Sequence, residues 1–303
     1  PYYDKTEALI GVYGSNEGLE NTPNSSPGVL LKAPAPRADE LLTKKYCRDL
    51  GIPVVPCHLA ILSEKQNHRR WPRELHPNNA LGQRVTRDIM RARAACFFAT
   101  PCGRGCSIGA NFQSPTVLLP PALATGNLTI RTDAMVFEVS SNAKGQANGV
   151  GFIDRITGKQ HHVRARVVIL AASACESARI MLNSKSNAHP NGIGNASGLV
   201  GKYIMDTVGA DLLGQFPIME NMPPHNADGA SAMHMYMPWW LYQEQAKGQL
   251  DFARGYHIEF GGGRRMPQGG HFSSVEAMNG GNYGQQLKED CRRYYGSFIG
   301  FSG

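Results

Sequence analysis

The stretch from Val167 to Ser184 constrains the fold more than any other part of the chain. It opens with four apolar residues, 167–170, a run typical of a strand buried on both faces. Small residues follow at 171–174 and let the backbone turn tightly. Ser173 and Glu176 have the spacing of a capping box, which predicts that a helix begins there. A strand, a small-residue turn and a capped helix form an edge where backbone can approach a phosphate or ribose, so the stretch predicts a nucleotide site.

Length and composition set the broad class. The 303 residues suit one large domain or two smaller ones, and 42% hydrophobic with 18% charged residues is ordinary for a globular protein. No apolar run approaches the length of a membrane span, so we expect no span in this chain. The sequence starts at Pro1 rather than Met, and we expect that its natural beginning is missing.

Much of the net charge of +7 lies in one basic stretch, residues 66–95. A binding surface for nucleic acid or another polyanion is one interpretation. The stretch has a single aromatic residue, Trp71, and no recognisable nucleic-acid module, which favours a solvated, partly disordered loop and no nucleic-acid partner. Its basic residues are His68, Arg69, Arg70, Arg73, His76, Arg84, Arg87, Arg91 and Arg93.

Two segments before the basic stretch read as helices, and a third follows it. Residues 2–12 fit a short amphipathic helix, and residues 39–50 fit a second helix with Leu41, Leu42 and Tyr46 toward the core. Gly51 is a plausible end for that helix, and residues 52–62, interrupted by prolines, fit an edge strand at best. The remaining predicted elements of the first two thirds are a helix at 116–124 and strands at 128–132, 135–139, 150–153 and 162–170.

The last third alternates short strands with glycine-rich loops. Strands are predicted at 233–237, 256–260 and 297–301, and a helix at 287–295. Trp239 and Trp240 are interpreted as core residues, although an aromatic pair can also stack on a sugar. His257 and Glu259 alternate along a predicted strand and so share one face of the sheet. Together with His234 they are candidates for an acid–base role, but a position on a solvated sheet surface is favoured for all three.

Four passages of the sequence resemble one enzyme family. They are residues 1–5, the stretch 122–132 leading to Val136, the small residues 171–174, and 198–206. Their order and spacing are similar to those of the glucose–methanol–choline (GMC) oxidoreductases, which are FAD-dependent enzymes acting on alcohols and sugars. The resemblance implies an α/β (α+β) fold: part of an FAD/NAD(P)-binding domain of the two-dinucleotide type with a β-meander, plus an antiparallel-sheet substrate domain. It suggests segments at 1–95 (helical and basic), 96–206 (FAD-binding, second half) and 207–303 (substrate domain).

The resemblance also implies FAD contacts. Val136 occupies a position whose backbone contacts adenine in relatives, and Ala171 and Ala172 occupy positions that line the FAD. Each residue has a simple packing role as well: Val136 in the meander core, and the two alanines in close helix–strand contact.

Three cysteines, Cys96, Cys102 and Cys106, lie in a short loop where Gly103 and Gly105 permit sharp turns. Thiolates are the ligands of iron–sulfur clusters, and the spacing resembles the loop that holds a three-iron, four-sulfur cluster in a GMC subgroup of sugar dehydrogenases. Zinc binding, a disulfide and inert thiols remain as alternatives. The other cysteines, Cys47, Cys57, Cys175 and Cys291, are interpreted as packing thiols.

The implied function is oxidation of a sugar or alcohol by hydride transfer to FAD. Electrons then pass to oxygen or a quinone, or through a cluster at the three cysteines to a haem or another carrier, so a cytochrome or quinone is a candidate electron-transfer partner. The chain lacks the G-x-G-x-x-G turn and the family's C-terminal His segment, so we expect an internal piece, inactive alone, whose catalytic His pair lies outside the chain. Two alternatives stay open: a non-catalytic iron–sulfur or thiol-bearing protein, and a polyanion-binding protein, each retaining part of the flavoprotein fold.

Overall fold

A computed structural model describes residues 2–20, 22–98, 102, 105–222, 234–263, 275–276 and 280–303. The fold is mixed α/β and divides into two compact units. The first unit comprises residues 1–127 and 209–303, and the second comprises residues 128–208. The three segments proposed from the sequence stay a prediction about domain organisation. No helix within the described ranges is long and apolar enough to cross a membrane.

The helices and strands are short and follow one another in chain order. The helices are α1 Tyr2–Ile10, α2 Ala38–Asp49, α3 Ala80–Arg91, α4 Ser114–Val117, α5 Leu119–Leu123, α6 Ser173–Asn183, α7 Tyr242–Ala246 and α8 Gly284–Tyr294. The strands are β1 Tyr13–Gly14, β2 Leu31–Lys32, β3 Val55–Pro56, β4 Ala134–Ser141, β5 Ala147–Asp154, β6 Gln160–Arg164, β7 Asp211–Gln215, β8 Met235–Met237, β9 Ile258–Gly262 and β10 Phe298–Ser302.

An antiparallel sheet organises the first unit. Its strand order is β3-β8-β9-β10-β7, and β3 forms an edge, as its prolines predict. Side chains from the sheet and from α2 form its core, with Ile299, Met235 and Phe260 almost fully buried. The predicted strands of the last third are confirmed within about two residues, except that position 233 lies outside the described residues. Strand β7 was not predicted.

Helix α2 buries a different face from the one expected. Leu41 and Tyr46 are 54% and 49% exposed, so the prediction that they face the core is wrong; Leu42 does pack against it. Asp39 and Glu40 are buried instead, because they accept hydrogen bonds from backbone N–H groups of the sheet region. Gly51 ends the helix with a φ of +71°, as predicted.

The basic stretch contains ordered helix, and the expectation of a solvated loop is wrong there. Helix α3 starts where Asn79 Oδ1 accepts a hydrogen bond from the Gly82 N–H at 2.8 Å. It buries Ile89 and Met90 on one side while its arginines point outward. Two 3₁₀ turns, His68–Arg70 and Arg73–Leu75, precede it. Beyond the stretch, the predicted helix at 116–124 is divided into the short α4 and α5.

The second unit is a three-stranded meander with one helix packed on it. The strand order is β4-β5-β6, all antiparallel, as predicted. The tight turn between β5 and β6 forms because Asp154 Oδ1 accepts the N–H groups of Ile156 and Thr157, and Gly158 adopts a φ of +69°. Ser184 ties α6 to β4, since its hydroxyl oxygen accepts the Val139 N–H at 2.8 Å.

Three predictions for the second unit are wrong. Residues 128–132 form no strand. The strand predicted at 162–170 corresponds to β6, which ends at Arg164, so residues 167–170 are not a buried strand. Val167 and Ile169 are 74% and 84% exposed, because no neighbouring strand covers this run within the described residues of the unit. Helix α6 does begin at Ser173, but Ala172 is its N-cap residue and no capping box forms.

Candidate functional site

Val136, a predicted FAD contact, is held in the meander by a side chain from α6. It lies in β4 opposite Phe152, next to an irregularity in the strand register. Arg179 Nη2 donates to the Val136 carbonyl oxygen at 3.1 Å. The same guanidinium binds the Glu176 carboxylate at 2.7 Å, which raises the pKa of Arg179. Arg179 therefore links α6 to the backbone position expected to meet adenine, a role that was not predicted from the sequence.

Ala171 and Ala172 lie at the start of α6, and both are exposed. The Ala172 N–H donates to Ser177 Oγ at 3.2 Å. Ser173 follows with a φ of +65°, a left-handed conformation that is strained for a residue with a side chain. Methyl-sized side chains at an exposed helix N-terminus leave its backbone N–H groups open to an anionic group. Geometrically, this edge is suited to a diphosphate.

The predicted iron–sulfur ligands Cys96, Cys102 and Cys106 all pack against one group of buried apolar side chains in the first unit. All three side chains are of intermediate exposure. This apolar group consists of Tyr13, Leu31, Ile61, Leu62 and Ala110. Gly105 has a φ of +90°, as the predicted turn requires, whereas Gly103 lies outside the described residues.

The thiols are close to one another but are not arranged as a ready ligand set. Burial raises the pKa of the Cys96 thiol, and the neighbouring Cys102 and Cys106 raise it further, against a hydrogen bond from the Phe98 N–H. In the part of the chain that the structure describes, no group of three or more His, Cys, Asp and Glu side chains is placed to hold a metal ion. Their assignment as iron–sulfur ligands stays a prediction.

Arg93 fixes the backbone that follows these cysteines. Its side chain is buried, and it donates to the carbonyl oxygens of Gly109 at 2.7 Å, Ile10 at 2.6 Å and Ala110 at 3.1 Å. Burial lowers the pKa of the guanidinium to about 10, while Cys106 acts in the opposite direction. Arg93 was predicted as part of a solvated stretch; the structure shows that it is a buried connection between α1 and the cysteine loop.

The acid–base candidates of the last third have structural contacts. His257 Nε2 and Glu259 Oε1 lie 3.3 Å apart on an exposed face, as their alternation predicts. The expectation of a solvated surface is wrong for His234, which is buried with its Nδ1 3.1 Å from the Ala35 carbonyl oxygen. Trp239 is 5% exposed and packs against Tyr256, consistent with a core position.

Comparison with known proteins identifies the family. Residues 75–215 match the family model described as GMC oxidoreductase. The chain belongs to the GMC oxidoreductase family. The matched region of this GMC chain contains all six residues predicted as FAD contacts or cluster ligands: Cys96, Cys102, Cys106, Val136, Ala171 and Ala172.

The relatives of this GMC chain include oxidases and a dehydrogenase. It is 31% identical over 221 residues to the 6'''-hydroxyparomomycin C oxidase of Streptomyces lividus, covering 70% of this chain and 36% of the relative. It is 30% identical over 203 residues to the paromamine 6'-oxidase of Streptomyces fradiae, covering 67% and 32%. It is 28% identical over 214 residues to the 2-methyl-1,2-propanediol dehydrogenase of Mycolicibacterium austroafricanum, covering 68% and 32%. The matched regions span about a third of the length of these relatives.

Proposed function

We propose that this GMC chain contributes to an FAD-dependent enzyme that oxidises a CH–OH group of a sugar or alcohol. The exposed small-residue edge at the start of α6 carries the proposal. Ala171 and Ala172 are open to a ligand there, and α6 packs against β4, which contains Val136. Membership of the GMC family and the names of its relatives support the reaction class.

The residues of the second unit suit the FAD in three ways. The first N–H groups of α6 and its dipole favour the diphosphate, and alanine side chains let it approach the backbone. Val136 offers backbone groups to adenine, and Arg179 fixes that part of β4. When bound, FAD accepts the hydride from the substrate carbon. We further propose that the meander and α6 belong to an FAD domain of the two-dinucleotide type. The proposed catalytic His pair lies outside this chain, and the proposed electron acceptor is a cytochrome or quinone.

Replacing Ala172 with a larger residue tests whether the small-residue edge at the start of α6 binds FAD. We expect Ala172→Leu to weaken FAD binding by about tenfold or more, since the added carbons occupy space close to the backbone. The measurement is an FAD titration of the protein expressed from its complete gene, followed by flavin fluorescence. Ala143→Leu, at an exposed turn of the same unit, is the matched control and should bind FAD normally. Equal affinity in both variants would contradict the assignment of this edge.

Substrate oxidation is measured separately. With FAD bound and oxygen excluded, sugars and simple alcohols are added and bleaching of the flavin absorption is recorded. Bleaching by a polyol or sugar supports the proposed reaction class. Retention of FAD with no bleaching by any CH–OH donor would instead favour a non-catalytic protein that has kept the flavoprotein fold.

We keep the iron–sulfur cluster as a separate proposal for Cys96, Cys102 and Cys106. Their shared apolar surroundings and mutual effect on the pKa of Cys96 support it. Their described placement does not yet bring the sulfurs to one centre, so we derive no step of the reaction through a cluster. We expect Cys102→Ser to abolish bound iron and acid-labile sulfide, and Cys291→Ser, in α8, to leave both unchanged. Absence of iron and sulfide from the unaltered protein prepared without oxygen would exclude the cluster.

A further inference from the structure

Residues of the basic stretch line a cavity that the FAD proposal does not use. It has a volume of about 280 Å³ and lies in the first unit, between the turn at 68–71 and α3. Its lining includes Arg69, Trp71 and Arg87. A second, more open cavity of about 670 Å³ shares the lining residues His76 and Pro77. The smaller cavity is close to the size of pockets that hold small ligands.

The lining of this cavity contains two arginines and no acidic residue. Its lining includes His68, His76, Arg69 and Arg87, and no Asp or Glu. In the described part of the chain, neither Arg69 nor Arg87 forms an ion pair, whereas their neighbour Arg70 pairs with Glu64 at 2.9 Å. Two guanidinium groups that share a cavity without a carboxylate favour an anion from outside the chain.

The aromatic wall of the cavity is packed in place. The ring centroids of His68 and Trp71 lie 6.5 Å apart, those of His68 and His76 lie 6.1 Å apart, and those of Trp71 and His76 also lie 6.1 Å apart. Each ring therefore contacts the other two. Asn67 Oδ1 accepts the Arg69 N–H at 3.1 Å and fixes the turn that carries Arg69. Because both the turn and α3 are held by local hydrogen bonds, the cavity is formed before any ligand binds.

We propose that this cavity binds the phosphate group of a small phosphorylated molecule. Arg69 and Arg87 contact the phosphate oxygens, since planar guanidinium groups bind phosphate through paired N–H donors. The Trp71 ring packs against the rest of the ligand. The site lies in the first unit, whereas the residues proposed to bind FAD lie in the second, so either proposal can fail without the other.

Titrations with inorganic phosphate and with glucose 6-phosphate test the site. They are carried out at constant ionic strength and followed by calorimetry. We expect saturable binding of both, which Arg87→Gln weakens by about tenfold or more. Arg84→Gln is the matched control: Arg84 is exposed on the same helix but does not line the cavity, and its loss should change the affinity by less than about twofold. Trp71→Phe distinguishes the two ligands, because it should weaken the binding of glucose 6-phosphate more than the binding of inorganic phosphate.

Four results would overturn the proposal. One is an absence of saturable binding of either probe. Another is an equal loss of affinity in Arg84→Gln and Arg87→Gln, which would indicate general attraction to positive charge; tight binding of an oligonucleotide with none of the small phosphates would lead to the same conclusion. The fourth is displacement of bound phosphate by FAD with loss of FAD binding in Arg87→Gln, which would assign the cavity to the flavin. Normal FAD binding and alcohol oxidation in Arg87→Gln keep the two sites separate.

Discussion

Arg93→Met is expected to lower the free energy of unfolding of the first unit by about 3–5 kcal/mol. Methionine keeps much of the apolar stem of the side chain but has no donor. The carbonyl oxygens of Ile10, Gly109 and Ala110 would each lose a hydrogen bond in a buried region. A buried acceptor without a partner costs about 1–3 kcal/mol, and neighbouring losses do not add fully. The change should therefore detach the segment after the cysteines from α1.

Urea unfolding followed by tryptophan fluorescence measures this effect. All three tryptophans of the chain, at 71, 239 and 240, lie in the first unit, so the signal reports on that unit. Arg91→Met is the control, since Arg91 is exposed at the end of α3. Its expected change is within about 0.5 kcal/mol. Equal shifts in both variants would show that Arg93 acts through charge alone. Arg93→Lys should restore part of the stability, because an ammonium group can still donate to one or two of the carbonyls.

Elements determined by local sequence were predicted well. Helix α1 and the end of α2 at Gly51 both follow from signals within a few residues. The strands of the meander follow from alternation, and so do β9 and β10. In each case the residues that specify the conformation also form most of its contacts.

Elements that depend on distant partners were predicted poorly. Strand β7 pairs with β10, more than eighty residues further along the chain, and its own sequence carries little alternation. The apolar run at 167–170 was predicted as a buried strand, but an apolar sequence specifies burial only when another strand or helix is present to cover it. Helix α3 was missed because its many arginines hid the buried face formed by Ile89 and Met90.

The candidate site shows the same division. Sequence resemblance located Val136, Ala171, Ala172 and the three cysteines as candidates by their position in recognisable passages. It did not locate Arg93 or Arg179, whose side chains donate to backbone carbonyl groups. A carbonyl acceptor has no sequence signature, so arginines of this kind are visible only when the fold brings the two segments together.

Glu40→Ala should destabilise the first unit about as strongly as the Arg93 variant. Glu40 is fully buried, and one carboxylate oxygen accepts the N–H of His234 at 2.7 Å and that of Met235 at 3.3 Å. The other oxygen accepts the Arg37 N–H at 2.7 Å and completes the start of α2. Removing the carboxylate leaves these N–H groups without their acceptor next to β8, at an expected cost of about 3–5 kcal/mol.

The matched variants separate hydrogen bonding from charge. Glu40→Gln keeps one acceptor oxygen for His234 but places an amide N–H against the Arg37 N–H, so its stability should lie between those of the wild type and Glu40→Ala. Asp49→Asn, at an exposed position of α2, should change the free energy of unfolding by less than about 0.5 kcal/mol. Hydrogen exchange of the Met235 and His234 amides supplies a local measurement. Both amides should exchange faster in Glu40→Ala, whereas the meander amides of the second unit should exchange at an unchanged rate. Unchanged exchange at these two amides would mean that Glu40 does not hold β8 to α2.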